Sequence, residues 1–534
     1  MSQNVNTNPF IEFDWINEWW KHLGEGKNIE IIVVIKNNEV IAFFPFLYKK
    51  KGWVYTYSFI GIGHANYMDF ISYEHSVETV IEFVMDYIIH AKKHVVFNLH
   101  GLLESSFSHR KLEVYLRKRK FRTSTHRVIT PYINLDKIQM EEYIKKRQKL
   151  HRLDRREKRI RANGLVEVAL SGPEEMEKIF KIHDKRWKKK HDTSGFTNIK
   201  ERKFYESLAK LQGVALTTEI DGLYMDGNMI AFNYGYQCRG RYISYVLGFD
   251  DDYEVFSPGR ILEKEKILQC SERKIKIFDL SIGYETYKFE WNTDLDYTKK
   301  IIFSNNTFFA RLVRQRISTK ETFISRIKVN QKLVLFKRNK IGKVLYVLRN
   351  IFTRENYRET KQVLTAFLIP KLKFLFQWKQ YFIYEIERKN VSNVIYKNNI
   401  IQLTIKEANN SEELVTHHMR DICTKIYGAY KGYYPIGKLF FKEIFWTNEK
   451  VIRIDDISYL KDFRKSSIFI ENWRVDNLKE ICAFIKNESN ANKLYLCVKA
   501  SSKQEISEIE NLGFSLHQKI IKKSFLGFSK VIVE

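Results

Sequence analysis

The sequence lacks the cysteine patterns of disulfide-rich proteins and of metal sites. Its 534 residues contain five cysteines, none in a CxxC pair and none at metal-ligand spacing from a histidine. Unpaired thiols are typical of proteins from a reducing compartment, and the missing ligand pattern argues against a structural zinc site. We therefore predict a cytoplasmic protein with free cysteines and no bound metal.

Long apolar runs and common catalytic signatures are missing as well. The N-terminus, MSQNVNTNPFIEF, has no charged stretch followed by an apolar one, and no run of about 18 uncharged apolar residues occurs. We therefore predict neither a signal peptide nor a spanning helix. HExxH, GxSxG, GxxxxGK[ST] and an EF-hand loop are also missing, and Gly61-Ile62-Gly63 is a lone GxG. This excludes the best-known metalloprotease, hydrolase, P-loop and calcium-binding signatures.

Acidic residues are scarce relative to basic ones. The chain has 91 Lys and Arg against 63 Asp and Glu, a net charge of +28, and residues 311–379 hold 18 of the cations against three acids. Aromatic residues interleave with these cations, a mixture that favours a basic amphipathic element on an anionic bilayer. Nucleic acid would also attract this charge. A basic helical layer with its lysines in solvent explains the pattern equally well.

Two parts of the chain resemble each other in the same order. IIVVIKNNEVIAFFPF (31–46) matches MDGNMIAFNYGY (225–236), and each reads as two strands around a turn, at Asn37-Asn38 and at Gly227-Asn228. SFIG (58–61) then matches SYVLG (244–248), and VVFNLHG (95–101) matches IKIFDLSIG (275–283). The offsets are 230 − 41 = 189, 244 − 58 = 186 and 278 − 97 = 181. The offset between matching segments decreases only slightly while their order is kept, which predicts two copies of one strand-and-helix module with different loop lengths.

The copies differ where a phosphate would bind. In the first copy the helix after SFIGIG begins among Glu74 and Glu78, whose carboxylates would repel an anion. In the second copy the helix begins with the sequence SPGR at residues 257–260. A helix start supplies free N–H groups, so Gly259 and Arg260 suit a phosphate. An ordinary N-cap at Ser257 is the alternative.

Several motifs in this order resemble the BioF2-like, or CelD-like, branch of the GNAT acyltransferase superfamily, which is related to the FemAB peptidyltransferases. They span residues 1 to about 310: PFIEFDWINEWW (9–20), RQKLHRLDRREKRIRANG (147–164), GNMIAFNYGYQ (227–237), YVLGFDDDYEVFSPGRIL (245–262) and FDLSIGYETYKFEW (278–291). The resemblance implies an α/β (α+β) fold of tandem GNAT-like modules with mixed sheets. A splayed pair of central strands would admit the pantetheine arm of coenzyme A, and the next helix start would receive its pyrophosphate.

We accordingly divide the chain into four parts. Residues 1–140 form a degenerate first module, and residues 141–310 form a second module with the acyl-donor site. Residues 311–395 are a basic, aromatic-rich helical segment. Residues 396–534 are a C-terminal GNAT-like domain, predicted to be non-catalytic because its counterpart of the phosphate loop, FIENWRVDNLKEICAF, contains no glycine.

The donor and catalytic candidates lie in the second module. Ser257, Gly259 and Arg260 are the predicted acyl-CoA contacts, with Tyr245 as a residue lining the cleft; strand alternation puts Tyr242 on the opposite face. The catalytic candidates are Asp279, Tyr284, Glu285 and Lys288.

Transfer of an acyl group to an amine needs a base, an oxyanion stabiliser and an acid, and the stretch FDLSIGYETYKFEW contains suitable residues for each. Asp279 ends an apolar strand, where burial would raise its pKa, although an aspartate at a strand end often only bonds loop N–H groups. The YKF triplet recurs in FemAB relatives, which implies that Lys288 steadies negative charge. Glu285 and Tyr284 fit as base and acid, and the sequence does not rank them against the other candidates.

The predicted function is transfer of an acetyl or longer acyl group from acyl-CoA to an amine or hydroxyl of a cell-surface glycan or polysaccharide precursor. The predicted partners are an anionic glycan or nucleotide-sugar acceptor and an anionic membrane surface, contacted through residues 311–379 at the inner face of the cell membrane. One alternative is aminoacyl-tRNA-dependent transfer onto a cell-wall precursor, as in FemAB proteins. It is less favoured because no insertion of about 60 residues occurs between Gly164 and Gly213. A second alternative is a non-catalytic component of a polysaccharide synthesis or export machine.

Overall fold

A computed structural model describes residues 7–189, 196, 198–329, 376–392, 400–437, 439–462, 466–525 and 528–534. The chain divides into two compact units. The first comprises Met1–Arg155, Glu167–Asp250 and Ser257–Gly342, and the second comprises Arg156–Val166, Asp251–Phe256 and Lys343–Glu534. Residues 330–375, which include most of the predicted basic segment, lie outside the described residues.

Up to residue 329, strand hairpins are interspersed with helices, as in a mixed α/β fold. The helices there are α1 (Phe13–Leu23), α2 (Val77–Ala91), α3 (Phe107–Lys118), α4 (Met140–Leu150), α5 (Leu153–Arg161), α6 (Met176–Lys189), α7 (Ile199–Ala209), α8 (Pro258–Glu272), α9 (Thr286–Phe289) and α10 (Phe308–Val329). The strands are β1 (Asn28–Lys36), β2 (Glu39–Lys51), β3 (Val54–Phe59), β4 (Ile71–Ser72), β5 (Val95–Leu103), β6 (Thr123–Asn134), β7 (Val166–Ser171), β8 (Leu216–Met225), β9 (Asn228–Cys238), β10 (Arg241–Phe249), β11 (Ile277–Asp279) and β12 (Asp294–Ser304).

One continuous sheet holds these strands and joins the two predicted modules. Its order is β1-β2-β3-β5-β12-β6-β11-β10-β9-β8-β7, with β4 paired to β2. The last strand of each module is exchanged: β12 lies between β5 and β6, and β6 lies between β12 and β11. Each module therefore completes the sheet of the other, while the predicted boundaries at residues 140 and 310 stay predictions.

The two hairpins of the repeat agree in their backbone details. The β1–β2 register shifts at Val34/Ile35, and the β8–β9 register shifts at Leu223/Tyr224, exactly one repeat offset of 189 residues later. Both tight turns use two residues of positive φ, Asn37 and Asn38 in one and Asp226 and Gly227 in the other. The second turn thus lies one residue earlier than the predicted Gly227-Asn228, because Asn228 already begins β9. Paired positive φ angles are what a two-residue hairpin needs to match strand twist.

The helices α1 and α7 pack against each other in the core of the first unit. Trp15 of α1 meets Phe204 of α7 edge to face, with ring centroids 5.6 Å apart, and Phe10 lies edge to face against Trp15 at 5.2 Å. All three rings are fully buried. Burial of a phenylalanine side chain of this kind stabilises a fold by about 1.5–3 kcal/mol. The PFIEFDWINEWW motif therefore has a packing role.

Three buried charges, those of Lys266, Glu219 and Asp221, join α8 to β8, and Arg273, whose side chain is 39% exposed, binds Glu219 from the surface. The Lys266 ammonium is 2.7 Å from a Glu219 carboxylate oxygen and 2.7 Å from one of Asp221, and Arg273 donates two hydrogen bonds to Glu219 at 2.6 and 2.9 Å. Burial raises the pKa of Asp221 above its ordinary value, even though Lys266 opposes the shift. Burial also acts on Glu219, but hydrogen bonds from Arg273 and Lys266 outweigh it and lower the pKa. The charges therefore stabilise one another out of water.

The second unit has its own mixed sheet. Its helices are α11 (Ile405–Asn409), α12 (Met419–Tyr427), α13 (Val475–Glu488) and α14 (Lys503–Asn511). Its strands are β13 (Phe376–Glu387), β14 (Ile400–Gln402), β15 (Lys431–Pro435), β16 (Phe445–Asn448), β17 (Val451–Ile454), β18 (Tyr459–Asp462), β19 (Ser467–Glu471), β20 (Lys493–Lys499), β21 (Ser515–Phe525) and β22 (Phe528–Val533). The sheet order is β14-β15-β16-β19-β20-β13-β21-β22, with β17 and β18 as a separate pair.

The strand order of the second unit repeats that of the second module. In both sheets a parallel pair of strands is followed by a strand from earlier in the chain and then by a later one. The orders are β10, β11, β6 and β12 in one sheet, and β19, β20, β13 and β21 in the other.

The predicted mixed α/β fold class is confirmed. Among the described helices, none is long and apolar enough to cross a bilayer.

Candidate active site

The pairing between β10 and β11 is short because β11 has only three residues, Ile277–Asp279. The two strands pair in parallel over only three positions, from Arg241 with Ile277 to Ile243 with Asp279, whereas β10 continues to Phe249. A register shift between Ser244 and Val246 places a bulge at Tyr245, just where the pairing with β11 ends. Bulges bend a strand and re-aim its side chains. Beyond Ile243 the described residues therefore give β10 no strand partner on its β11 side, and we call this position between β10 and the chain after Asp279 the wedge.

A loop of the first module, Gly61–Met68, lines this wedge. The Tyr245 hydroxyl donates to the His64 carbonyl oxygen at 2.6 Å, the Asn66 amide donates to the Ser281 hydroxyl, and the Tyr67 hydroxyl donates to Asp279 at 2.8 Å. The sequence analysis found only a lone GxG in this loop. The wedge is built from both modules because the strand exchange brings them into one sheet.

Asp279 is enclosed at the end of β11. It is 2% exposed and accepts hydrogen bonds from Tyr67 and from the Ser281 backbone N–H at 2.7 Å, and its second oxygen is 3.4 Å from Arg241 Nε. Burial raises the pKa of Asp279 above its ordinary value, with Arg241 opposing the shift. The raised pKa suits a base, while the three partners suit a structural carboxylate, so its catalytic role stays a prediction.

The other three catalytic candidates follow β11: Tyr284 and Glu285 lie in the loop, and Lys288 lies on the short helix α9. Lys288 is buried, donates to the Ile282 carbonyl oxygen at 2.7 Å and lies 3.1 Å from a Glu285 carboxylate oxygen. Glu285 itself is exposed and Tyr284 is half-buried. Gly283 has φ +134°, and a Cβ there would collide with the Glu285 carboxylate. Through these two contacts Lys288 holds the loop between β11 and α9 in place. Its positive charge also acts electrostatically on the Asp279 carboxyl group and opposes the rise of its pKa.

The helix start predicted to hold phosphate is tightly packed. Ser257 is the N-cap of α8 with φ +57°, and its carbonyl oxygen accepts from the N–H groups of Arg260 and Ile261 at 3.0 and 3.2 Å. Gly259 is buried, and a Cβ there would lie 3.1 Å from the Phe249 ring. The helix thus begins where predicted, and the glycine is needed for its close approach to β10.

The Arg260 side chain contacts protein groups. It donates to the Tyr287 carbonyl oxygen at 2.6 Å, lies 3.1 Å from a Glu290 oxygen and sits over the Trp291 ring at 4.8 Å. Behind it, buried Glu263 accepts from the Trp291 indole at 2.6 Å. Part of the positive charge of Arg260 is therefore neutralised within the protein, and its role in phosphate binding stays a prediction.

Arg186 is a cation near this helix start that the sequence analysis did not single out. The guanidinium of this α6 residue lies 3.9 Å from the centroid of the Phe249 ring, the same ring that abuts Gly259. Arg186 also acts electrostatically on Tyr287, as does Arg260. Its position 74 residues before Arg260 in the sequence hid this proximity.

A Trp-His-Glu chain beside Tyr245 was also missed. The Trp19 indole donates to His64 Nδ1 at 3.2 Å, and His64 Nε2 lies 3.5 Å from a Glu201 oxygen. Because Nδ1 accepts, Nε2 carries the proton of the neutral ring. Burial lowers the pKa of His64 below its ordinary value, although Glu201 opposes the shift. These residues come from α1, the Gly61–Met68 loop and α7, so no sequence motif joins them.

Asp69, directly after the loop, is buried and carries a perturbed carboxyl group. It accepts from the Phe70 N–H at 2.8 Å and from Ser106 and Ser108 at the start of α3. Burial raises its pKa from 3.8 to about 7. Between pH 3.8 and about pH 7, Asp69 therefore keeps its proton in the folded protein and loses it in the unfolded chain. The free energy of unfolding decreases as the pH rises through this range, because deprotonation then favours the unfolded chain.

Replacing Asp69 with Asn is expected to stabilise the protein at high pH. An amide keeps an acceptor for the Phe70 N–H and removes the buried charge, so the gain should grow from near zero at pH 4 to a few kcal/mol, in order of magnitude, at pH 8. Urea unfolding of both proteins across this range measures the difference. A gain that is constant with pH would show that Asp69 does not titrate in this way.

The comparisons with known proteins agree with this architecture. Residues 145–289, which contain α8, β10, β11 and the chain after β11 up to Phe289, match the model of an acetyltransferase (GNAT) domain. The predicted resemblance to the GNAT superfamily is thereby confirmed. The matched segment supplies β10 and β11 to the wedge, whereas the Gly61–Met68 loop lies outside it. No curated protein matches the chain.

Several solved structures resemble a larger part of the chain. FemX has 11% identity and a TM-score of 0.44, covering 59% of this chain and 96% of its own. L-PGS from Bacillus licheniformis has 11% identity and a TM-score of 0.36, covering 62% and 100%. A tandem GNAT protein from the clavulanic acid biosynthesis pathway has 8% identity and a TM-score of 0.32, covering 55% and 86%. All three scores lie below 0.5, so none of these structures decides what this chain does.

Proposed function

We propose that the protein transfers an acyl group from acyl-CoA to an amine or hydroxyl of a cell-surface glycan or polysaccharide precursor. The observation that carries this proposal is the wedge between β10 and β11, whose two strands lie in the segment that matches a GNAT domain and which is lined by loops of both modules. Acetyl-CoA or a longer acyl-CoA is the proposed donor. The anionic glycan or nucleotide-sugar acceptor rests on the sequence resemblance.

The wedge suits the amide-containing arm of coenzyme A. Where two parallel strands diverge, their backbone N–H and C=O groups lose their strand partners and need other ones. A pantetheine arm supplies such groups, and its pyrophosphate would lie towards the start of α8. The helix dipole and the nearby guanidinium of Arg186 favour negative charge there.

The loop after β11 supplies groups for the chemistry. Attack on a thioester requires removal of a proton from the acceptor and stabilisation of the oxyanion. We assign oxyanion stabilisation to Lys288. Asp279 and Glu285 are the candidate bases, the first with a raised pKa and the second exposed. We expect kcat of the parent protein to rise with pH as the base loses its proton. Whichever of the single variants Glu285→Gln and Asp279→Asn lacks this rise identifies the base.

Replacing Arg186 with Ser is expected to weaken acyl-CoA binding at least tenfold, or about 1.4 kcal/mol, because a charge-assisted phosphate contact is lost. Calorimetric titration with acetyl-CoA and longer acyl-CoA measures the affinity. Lys181→Ser, an exposed cation on the same helix, is the matched control and should bind normally. Equal affinity of Arg186→Ser and the parent protein would remove Arg186 from the site and leave the function standing.

The same titrations separate the proposed function from its alternatives. If the parent protein transfers an amino acid from charged tRNA and does not bind acyl-CoA, the FemAB-like reaction replaces our proposal. If it binds neither donor but binds a glycan precursor, the protein is a non-catalytic binding component. Release of free CoA with a glycan amine or hydroxyl as acceptor would support acyl transfer directly.

A further inference from the structure

An exposed aromatic patch lies on the first unit, away from the wedge. We define it as Trp53, Phe308, Phe309 and Leu312, which are 69%, 69%, 39% and 51% exposed. The rings contact one another: the centroids of Trp53 and Phe309 are 5.1 Å apart, and those of Phe308 and Phe309 are 5.5 Å apart. Contiguous apolar surface of this kind on a folded protein marks an interaction site.

The patch is held rigidly by its surroundings. Trp53 is at the tip of the β2–β3 hairpin, directly after Gly52 with φ +57°. On its inner side α10 buries Ala310 against Val54, Val96 and Ile302, while Val313 and Ile317 pack on the same cluster. These contacts bury the inner stripe of the helix, so its three patch side chains, Phe308, Phe309 and Leu312, are left exposed to water beside Trp53.

A dense group of cations surrounds the patch. Lys49, Lys50 and Lys51 are exposed on the same hairpin, and Lys93 and Arg311 are exposed on the neighbouring segments. Lys50 and Lys92 both lie over the Tyr55 ring, 5.3 and 5.2 Å from its centroid, which places them at this end of the sheet. The segments 47–56, 90–98 and 305–320 contain no Asp or Glu. All the formal charges that these three segments contribute are therefore positive.

We propose that this patch docks the protein on an anionic lipid bilayer. Trp and Phe side chains partition into the boundary between headgroups and acyl chains, and a ring of cations without acids complements anionic headgroups. A protein partner would have to bury several lysines against acidic groups of its own, whereas a bilayer supplies mobile anionic headgroups around an apolar interior. The inference is independent of the proposed function, and it locates the membrane contact mainly outside residues 311–379.

Vesicle flotation of the full chain tests the proposal. The protein should float with vesicles of phosphatidylcholine containing 30% phosphatidylglycerol, remain below with pure phosphatidylcholine, and be released by high salt. Trp53→Ser combined with Phe308→Ser should lower the bound-to-free ratio at least about tenfold. Phe83→Ser, which changes a ring that is 65% exposed on α2, is the control and should float like the parent. Equal flotation of all three proteins would overturn the proposal.

A charge-reversal pair separates this patch from general attraction by a basic protein. Lys50→Glu combined with Lys51→Glu should lower the ratio at least about tenfold, because each cation near an anionic surface contributes strongly to binding. Lys210→Glu combined with Lys276→Glu makes the same change in net charge at exposed positions elsewhere and should float normally. If both double variants weaken binding equally, the net charge explains it and the patch has no special role.

Tryptophan fluorescence tests the docking geometry even if the variant with Trp53→Ser and Phe308→Ser does not fold. Brominated acyl chains should quench part of the tryptophan emission of the parent on anionic vesicles. In Trp53→Phe, flotation should persist while this quenching disappears, because the ring is conserved and the fluorophore is removed. Unchanged quenching in Trp53→Phe would show that another tryptophan enters the bilayer and would overturn the docking geometry.

Discussion

Replacing Lys266 with Met is expected to lower the free energy of unfolding by about 3–5 kcal/mol, the usual cost of removing one partner from a buried ion pair. Lys266 is 1% exposed, as is Asp221, and its ammonium is the hydrogen-bond donor to Asp221. Glu219 would keep Arg273, whereas Asp221 would face a methyl thioether. A carboxylate in such surroundings is strongly disfavoured, so the variant should unfold earlier and more so as the pH rises.

Urea unfolding at pH 7 measures this loss, with Lys276→Met as a control because that side chain is exposed on the same unit. Adding Asp221→Asn to Lys266→Met should recover most of the stability, since the uncompensated charge is then gone. A change below about 1 kcal/mol in Lys266→Met would mean that the network contributes no more than exposed ion pairs do. If adding Asp221→Asn does not recover stability, the loss in Lys266→Met comes from altered side-chain packing and not from an uncompensated charge.

Replacing Lys288 with Met is expected to lower kcat for acyl transfer about 10²–10³-fold, the effect of removing one group that stabilises an oxyanion. The affinity for acyl-CoA should change less than about twofold, because the proposed role of this ammonium is at the acyl end of the donor and not at its pyrophosphate. Its hydrogen bond to the Ile282 carbonyl oxygen and its contact with Glu285 hold the loop after β11. Some loss of thermal stability should therefore accompany the loss of rate.

Steady-state kinetics with titrated donor separate the two effects of this change. Lys210→Met changes an exposed lysine after α7 within the same matched segment, residues 145–289, and should retain the parent rate. Glu285→Gln removes the partner of Lys288 without removing the ammonium and tests whether loop closure alone limits the rate. Parent-like kcat in Lys288→Met would exclude the lysine from catalysis, whatever the fate of the proposed donor.

The repeat and the helix start were predictable because local backbone sterics dictate them. Two-residue turns need positive φ angles, so Asn37-Asn38 and the Asp226-Gly227 pair identify both hairpins from short stretches. Proline after Ser257 marks the first turn of α8 for a similar reason. The one-residue error at the second turn arose because glycine and asparagine both tolerate such angles.

The partners of the site residues were not predictable, since they come from distant parts of the chain. Asp279 contacts Tyr67, 212 positions away, and Tyr245 contacts His64, 181 positions away. Arg260 was read as a phosphate ligand from its neighbours in sequence, while its contacts in space are Glu290 and Trp291. Short-range patterns contain no information about such long-range pairs.

The repeat, the mixed α/β class and the position of α8 follow from the amino-acid sequence, because each depends on turn chemistry and strand alternation within a few residues. The exchange of β6 and β12, which brings the Gly61–Met68 loop into the wedge, is a property of the folded chain. The tertiary structure also decided which charges are neutralised, as at Lys266, and which remain exposed, as around Trp53. Burial and proximity depend on how the strands are ordered in the sheet, and that order is set by packing across the whole unit.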